Sequence, residues 1–551
     1  MSTYRKPNIL IFIVDQMREP QWFPNQATLD QLLPNLAKLR QNAVRFTRHY
    51  AAANMCTPSR AAMTTGLYTH QTYTCITQRT YLDPRFPTWA HLLSTFGYTS
   101  HWIGKWHLAD PKQPGALVGP AALKAYGFAH CSFGDHEGDT YGKPEEGRTR
   151  DPAIANDAIA WLERAPVDEP WCTTVSFINP HDIMYAPLCT EGVIPVSGPT
   201  IPPELDLSTF LSPDQQDLYG LDTETAVHQF GIKAPPEAFL KAGQLPANFE
   251  TLAQLIARNV PKLQLSLLRW SNVASGDIGD EDEAAWLTLM NRYLQLQKNV
   301  DELIGRVLEA LERSENYHNT IIIFTSDHGD CCGSHGLRGK GASAYEEAIR
   351  VPFYVKDLTG QWSDGVSQDC SGLTSHIDFT PLLLTLASGG ADWRADERFA
   401  HLAHRFDLST LLRNPNNPGR TYVLHASDEI SYTDEPPLYE NRNIPFHLIS
   451  CRTTAGKLTR YHHWLPGRDT IDPAGEEQEC YDYRRKDGIL ELNNVASAEN
   501  RVYQELTEVL NAAIVDELRK PLPGELKNVQ AEAFLRYLVS VGEAPALLGS
   551  A

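Results

Sequence analysis

Asn8-Ile9-Leu10-Ile11-Phe12-Ile13-Val14-Asp15-Gln16 decides the fold. Ile9 to Val14 is apolar without a break and rich in β-branched side chains. A strand covered on both faces reads this way, which points to a parallel sheet flanked by helices. The run stops at Asp15, and in open α/β sheets ligands gather beyond the carboxyl ends of the strands. Three later runs repeat the pattern. Tyr98 to Ile103 ends in Gly104-Lys105-Trp106-His107, Trp171 to Ile178 in Asn179-Pro180-His181-Asp182, and Asn319 to Ser326 in Asp327-His328-Gly329-Asp330. Trp286, Met290, Tyr293, Leu294, Val300, Leu303, Ile304, Val307 and Leu311 keep helical spacing, so one long amphipathic helix packs on the sheet. Shorter elements are a helix entered through Pro34, a single strand over Val44 to Tyr50 and a helix over Trp89 to Phe96. Each strand-end group also has an ordinary reading: a turn or cap for Asp15, solvated side chains for Lys105 and His107, a loop histidine held by Asp182 for His181.

Cys56-Thr57-Pro58-Ser59-Arg60 is the most specific stretch. Proline is tolerated in the first turn of a helix, where its missing N–H costs nothing. Cys56 therefore lies just before a helix start, where backbone N–H groups and the dipole favour an anion. Arg60 lies one turn along. A free cysteine is commonly inert packing, and a thiolate phosphatase needs a longer loop between Cys and Arg. The third reading is that Cys-x-Pro-Ser-Arg resembles the sulfatase signature. Gly97 to Leu108 resembles the second signature of that family, Pro180-His181 its Pro-His motif, and Asp327-His328 the position that completes its metal site. Lys340, within Arg338-Gly339-Lys340-Gly341, resembles a further lysine of the family, against the plain reading of a surface lysine.

This resemblance implies an alkaline-phosphatase-like α/β fold: a large, mostly parallel central sheet flanked by helices, plus a smaller C-terminal α+β domain with an antiparallel sheet. It implies hydrolysis of sulfate monoesters, aryl sulfates foremost, to alcohol or phenol plus sulfate. Cys56 would be oxidised to formylglycine (3-oxoalanine) by a formylglycine-generating enzyme, and one hydroxyl of its hydrate would attack sulfur. Arg60, Lys105 and Lys340 would offset charge on the sulfuryl oxygens, His181 would protonate the leaving oxygen, and His107 would deprotonate the second hydroxyl. Asp15, Gln16, Asp327, His328 and the modified Cys56 would hold one divalent metal. Oxygen ligands favour Ca²⁺, while His328, and Gln16 where the family commonly has an acid, pull toward Mn²⁺. The Asp-Gln and Asp-His pairs also resemble phosphonate monoester hydrolases and phosphodiesterases of the same superfamily. A catalytically silent member that binds an anion or a partner is the reading from another class.

Composition sets bounds. The 551 residues carry a net charge of −20, which argues against a general binder of nucleic acid or membrane surfaces. Ten cysteines show no zinc spacing and no dense disulfide framework. The first apolar run is too short for a secretory segment, so a cytoplasmic protein is expected. The organisation reads as a catalytic domain over residues 1–415, with 186–280 an insertion shaping the substrate mouth. A breaker cluster at Asn414 to Gly419 separates it from a subdomain over 416–520. That subdomain holds a hairpin at Ala455-Gly456 and a helix from about Ala498 to Leu518. The tail, 521–551, has a helical piece from Ala531 to Val541 and is a candidate contact for a homo-oligomer.

Overall fold

The computed structural model describes residues 4–19, 26–77, 79–109, 120–132, 146–185, 245–262, 264, 278–279, 283–341, 343–428, 445–465, 468, 470–485 and 488–541. Most of the expected 186–280 insertion, 186–244 and 265–277, lies outside the described residues, as does the end of the tail.

The apolar run forms strand β1 (Asn8–Asp15), buried at all eight positions. Side chains alternate across a strand, and both sets find a core. Ile9, Ile11 and Ile13 pack with Trp89, Trp102 and Phe379 on one face. Leu10, Phe12 and Val14 pack on the other with Ile154 and Ala158 of the helix Glu146–Leu162, and with Val300, Ile304, Val307 and Leu311 of the long helix Glu283–Arg313. The sheet continues through β2 (Val44–Phe46), β4 (Thr99–Gly104), β5 (His130–Ser132), β6 (Trp171–Pro180), β7 (Thr320–Ser326), β9 (Phe353–Asp357) and β10 (Gln368–Cys370), in the order β10-β2-β9-β7-β1-β6-β4-β5. Its pairings are parallel except those of β9 with β7 and β2. β1 sits between β6 and β7, with Ile11 opposite both Thr174 and Ile323. The carboxyl ends of β1, β4, β6 and β7 therefore share one edge of the sheet.

One element differs from expectation. Val44 to Tyr50 is not one strand: β2 joins the large sheet, while β3 (His49–Tyr50) joins a small sheet with β8 (Arg350–Val351) and β11 (Thr374–Ser375). Thr47 turns the chain between them, its N–H bonded to the Cys370 carbonyl.

A third sheet, of β12 (Tyr422–Asp428), β13 (His447–Thr453), β14 (Gly456–Trp464) and β15 (Ile471–Asp482), is antiparallel throughout. The helix Arg501–Ala513 lies on it, burying Val502, Leu506 and Leu510 against Leu424, Ile449 and Leu458. Its N-cap is Asn500, whose side chain accepts from the N–H groups of Val502 and Tyr503. The tail helix, Leu526–Ser540, begins earlier than the sequence suggests and packs on its own chain, with Val529 and Ala533 in the main core and Arg536 paired to Asp83. No helix among the described residues is long and apolar enough to cross a membrane.

Candidate active site

Four strand ends and one helix start meet at the shared edge. The helix Cys56–Thr65 includes Cys56 as its first residue, one position earlier than the sequence reading, and all ten of its residues are buried. Asn54 anchors the approach, its amide donating to the carbonyls of Lys340 and Ser343 at 2.7 Å each. β4 delivers Lys105 through Gly104, whose φ is +105°. A Cβ there would lie 2.0 Å from the Ser176 carbonyl oxygen, so only glycine fits. The Lys105 N–H then bonds that same carbonyl at 3.0 Å. At the end of β6, Asp151 accepts from the N–H groups of Ile178 and Asn179 at 2.7 and 2.9 Å, fixing the chain that leads into His181.

Cys56 Sγ is the centre of the charged groups. Lys340 Nζ lies 3.1 Å away, His328 Nε2 3.2 Å, Asp15 Oδ1 3.7 Å and Lys105 Nζ 3.8 Å. Asp15 Oδ2 accepts from Lys105 Nζ at 2.6 Å and from Arg60 at 2.9 Å. Arg60 is fully buried. Its Nε donates to Asp327 Oδ2 at 2.9 Å, and its remaining contacts include the Lys105 carbonyl and Ser176 Oγ. The sequence reading aimed this guanidinium at the sulfuryl oxygens; in the structure it ties Asp15 to Asp327. Charges without solvent need such partners.

The electrostatics follow from that arrangement. Burial alone would raise Asp15, but Lys105, His181, Arg60 and Lys340 together hold it well below the usual carboxylate range. Asp327 is pushed up to about 6 by burial and by the nearby Asp15 charge, against the pull of His328 and Arg60. Burial lowers His328 to about 4, so its ring is neutral near pH 7. Its Nδ1 faces the Gly329 carbonyl at 3.1 Å, which puts the proton there and leaves the Nε2 lone pair toward Cys56. Burial, then Lys105, push both His107 and His181 well below the ordinary histidine value.

Ligand atoms of Asp15, Cys56, Asp327 and His328 all lie within 4.8 Å of one another. Two carboxylates, one imidazole lone pair and one cysteine-derived group suit a divalent ion, so the donor set fits the implied metal. Gln16 borders this group in a left-handed conformation, φ +72°. Its N–H donates to Asp327 Oδ1 at 3.0 Å, and its side-chain oxygen accepts from Lys340 Nζ at 2.7 Å. His107, φ +62°, accepts through its carbonyl from the Thr57 hydroxyl at 3.0 Å. Sequence reasoning missed Asn54, Asp151, Ser176 and Asp330. Asn54, Ser176 and Asp330 lie beside or within the stretches quoted above, but nothing in those patterns assigns them a partner, and Asp151 is marked only by the Asp-Pro step at Asp151-Pro152.

A charged pocket at the carboxyl edge of a mostly parallel sheet, with an antiparallel sheet beside it, is the arrangement of an alkaline-phosphatase-like fold. More narrowly, the chain belongs to the sulfatase family, whose model matches residues 7–390, and is a sulfuric ester hydrolase by that membership. It is 26% identical over 404 residues to an N-acetylglucosamine-6-O-sulfatase of Bacteroides thetaiotaomicron, covering 70% of this chain and 68% of that protein. Among solved structures it is similar to the phosphonate monoester hydrolase of Agrobacterium radiobacter, with a TM-score of 0.62, 20% identity, and 93% and 96% of the two chains covered. It is also similar to a protein solved in complex with its substrate D-glucosamine-2-N,6-O-disulfate, with a TM-score of 0.60, 20% identity, and 94% and 100% covered.

Proposed function

We propose that the chain hydrolyses sulfate monoesters, aryl sulfates among them, to alcohol or phenol plus sulfate. The proposal includes a formylglycine made from Cys56 by a formylglycine-generating enzyme in a cytoplasmic setting, and one divalent metal. The observation that carries it is the position of Cys56 Sγ, 3.1 Å from Lys340 Nζ and 3.2 Å from His328 Nε2.

A thiol has one ionisable group, whereas the hydrate of formylglycine has two hydroxyls, one to attack sulfur and one whose deprotonation expels sulfate. Asp15, Asp327 and His328, with Gln16 beside them, would hold the metal, Ca²⁺ ahead of Mn²⁺, which supplies Lewis-acid polarisation at the reacting oxygens. Lys105 and Lys340 reach the sulfuryl oxygens of an ester seated at Cys56 and offset the charge growing there. Arg60 keeps Asp15 and Asp327 paired and in register. His107, neutral when the site is free, is ready as the base. His181 acquires its proton as the anionic ester enters, because the ester's charge opposes what keeps the ring neutral in the free site, burial first and then the field of Lys105 and Lys340. His181→Ala is therefore expected to lose roughly 10²–10⁴-fold in kcat on alkyl sulfates and far less on nitrophenyl sulfate, whose leaving group needs no acid. Equal losses across a leaving-group series would remove the acid role.

A second reading, phosphonate monoester hydrolysis, is favoured by one feature: Gln16 and His328 stand where the family commonly has an acid and an asparagine. Matched kcat/KM measurements on p-nitrophenyl sulfate and p-nitrophenyl phenylphosphonate decide between them. The sulfate is expected to be preferred; a large preference for the phosphonate would reverse the order. For the chain's organisation we keep a catalytic unit to residue 415, a subdomain over 416–520 and a tail beyond it.

A further inference from the structure

Gln16 carries an amide, whose two ends differ in polarity, at the point where orientation matters most. The residue is fully buried. Its carbonyl accepts from the Tyr293 hydroxyl at 2.6 Å and its N–H is held by Asp327, so the backbone fixes where the side chain starts. The side chain then spans two charges. Nε2 donates to Asp330 Oδ2, and Oε1 accepts from Lys340 Nζ at 2.7 Å. Asp330 is itself buried and pinned, its other oxygen accepting from the Cys332 N–H at 2.7 Å. A carboxylate accepts and an ammonium donates, so the two ends agree on one orientation of the amide. Lys340 Nζ, steered this way, stands 3.1 Å from Cys56 Sγ.

The geometry points to Asp330 as a positioning residue that acts through Gln16: it fixes which end of the amide faces Lys340 and so aims the lysine at the oxyanion of the substrate. A negative charge is thus present on this side of the site, but one residue removed from the reacting atoms. The inference rests on the proposed part of Lys340 in holding the sulfuryl group.

The test is a four-member cycle in the metal-loaded protein: wild type, Asp330→Asn, Gln16→Glu, and the two substitutions together. In Asp330→Asn the new amide must still accept from the Cys332 N–H through its oxygen, so its NH₂ faces Gln16. The Gln16 amide then turns over and presents a donor to Lys340. Affinity for inorganic sulfate, read as Kd by calorimetry, is expected to weaken about tenfold or more, with KM rising more than kcat falls. In Gln16→Glu two carboxylates face each other. In the double variant every hydrogen bond again has one donor and one acceptor. Its sulfate Kd and its KM are expected to be about tenfold better than the product of the two single losses, and its Tm above that of either single variant. Strict additivity in Kd, KM and Tm would overturn the inference. If a single variant fails to fold, a double variant that folds supports the coupling and a double variant that does not fold overturns it. Wild type that binds sulfate but turns over no sulfate ester would sink the sulfatase reading while leaving the cycle in Kd readable.

Discussion

Two buried clusters in this molecule draw on the same residue types and do different work. Around Cys56, His328 is neutral, and its Nε2 lone pair faces Cys56, close to Asp15 and Asp327. Around His335 lies a second set, His335, Glu347 and Glu491, whose ligand atoms are also within 4.8 Å of one another. There the acids already have cations: Glu491 pairs with Lys457 at 2.5 Å and Glu347 with Arg18 at 3.5 Å. His335 Nδ1 lies 2.9 Å from Glu250 and Nε2 3.8 Å from Glu347, while its ring stacks on Tyr345 at 3.8 Å. Burial would lower its pKa, but the two glutamates raise it above the ordinary value, against Arg258. The first cluster holds cations close to one central atom; the second is a closed set of ion pairs. Residue types alone do not distinguish a reacting site from a brace; the partners do.

Lys340 gives the largest contrast. Lys340→Ala removes a cation at the reacting centre and is expected to reduce kcat/KM by on the order of 10²–10³-fold. Steady-state kinetics on nitrophenyl sulfate reads this, and a loss below threefold would place Lys340 outside the chemistry.

His335→Ala attacks the brace instead. It removes the cation that Glu250 and Glu347 share but leaves Glu250 its Arg258 and Glu347 its Arg18, so the cost is that of the lost charged hydrogen bonds, roughly 1–3 kcal/mol by denaturant unfolding. The sign with pH is fixed. A folded-state pKa above the unfolded value gives stability fully present below the unfolded value and lost as pH rises through the folded one. The gap between wild type and His335→Ala should therefore narrow on going from acid to alkaline pH across the histidine range; a gap that widens would contradict the protonated ring. The brace also explains why Gly336 must be glycine, since a Cβ there would meet the Glu250 carbonyl oxygen at 2.2 Å. The smallest effect is expected outside both clusters: Asn500→Ala removes a helix cap and should lower stability by about 1 kcal/mol without altering kcat.

The fold was legible because hydrophobic pattern reports burial. The unbroken run at Ile9–Val14 requires cover on both faces, and the two cores supply it. The long helix Glu283–Arg313 was legible for the same reason, and the hairpin of β13 and β14 from the Ala455-Gly456 turn between two strand runs. The pattern does not report hydrogen-bond partners. Val44 to Tyr50 reads as one strand, yet Thr47 bonds Cys370 and the two halves join different sheets. Arg60 could be placed near Cys56 from the helix turn, but not its pairing with Asp15 and Asp327. Asp330 and Asn54 belong to no periodic pattern, and their bonds to Gln16 and to the Lys340 and Ser343 carbonyls join positions hundreds of residues apart.

The measurement that tests the account most directly is the mass of the peptide containing Cys56, taken on the same preparation whose turnover of nitrophenyl sulfate is recorded. With the formylglycine-generating enzyme present at graded levels, turnover is expected to rise in proportion to the fraction of Cys56 that has lost its sulfur. Full turnover by protein that retains the thiol would contradict the account.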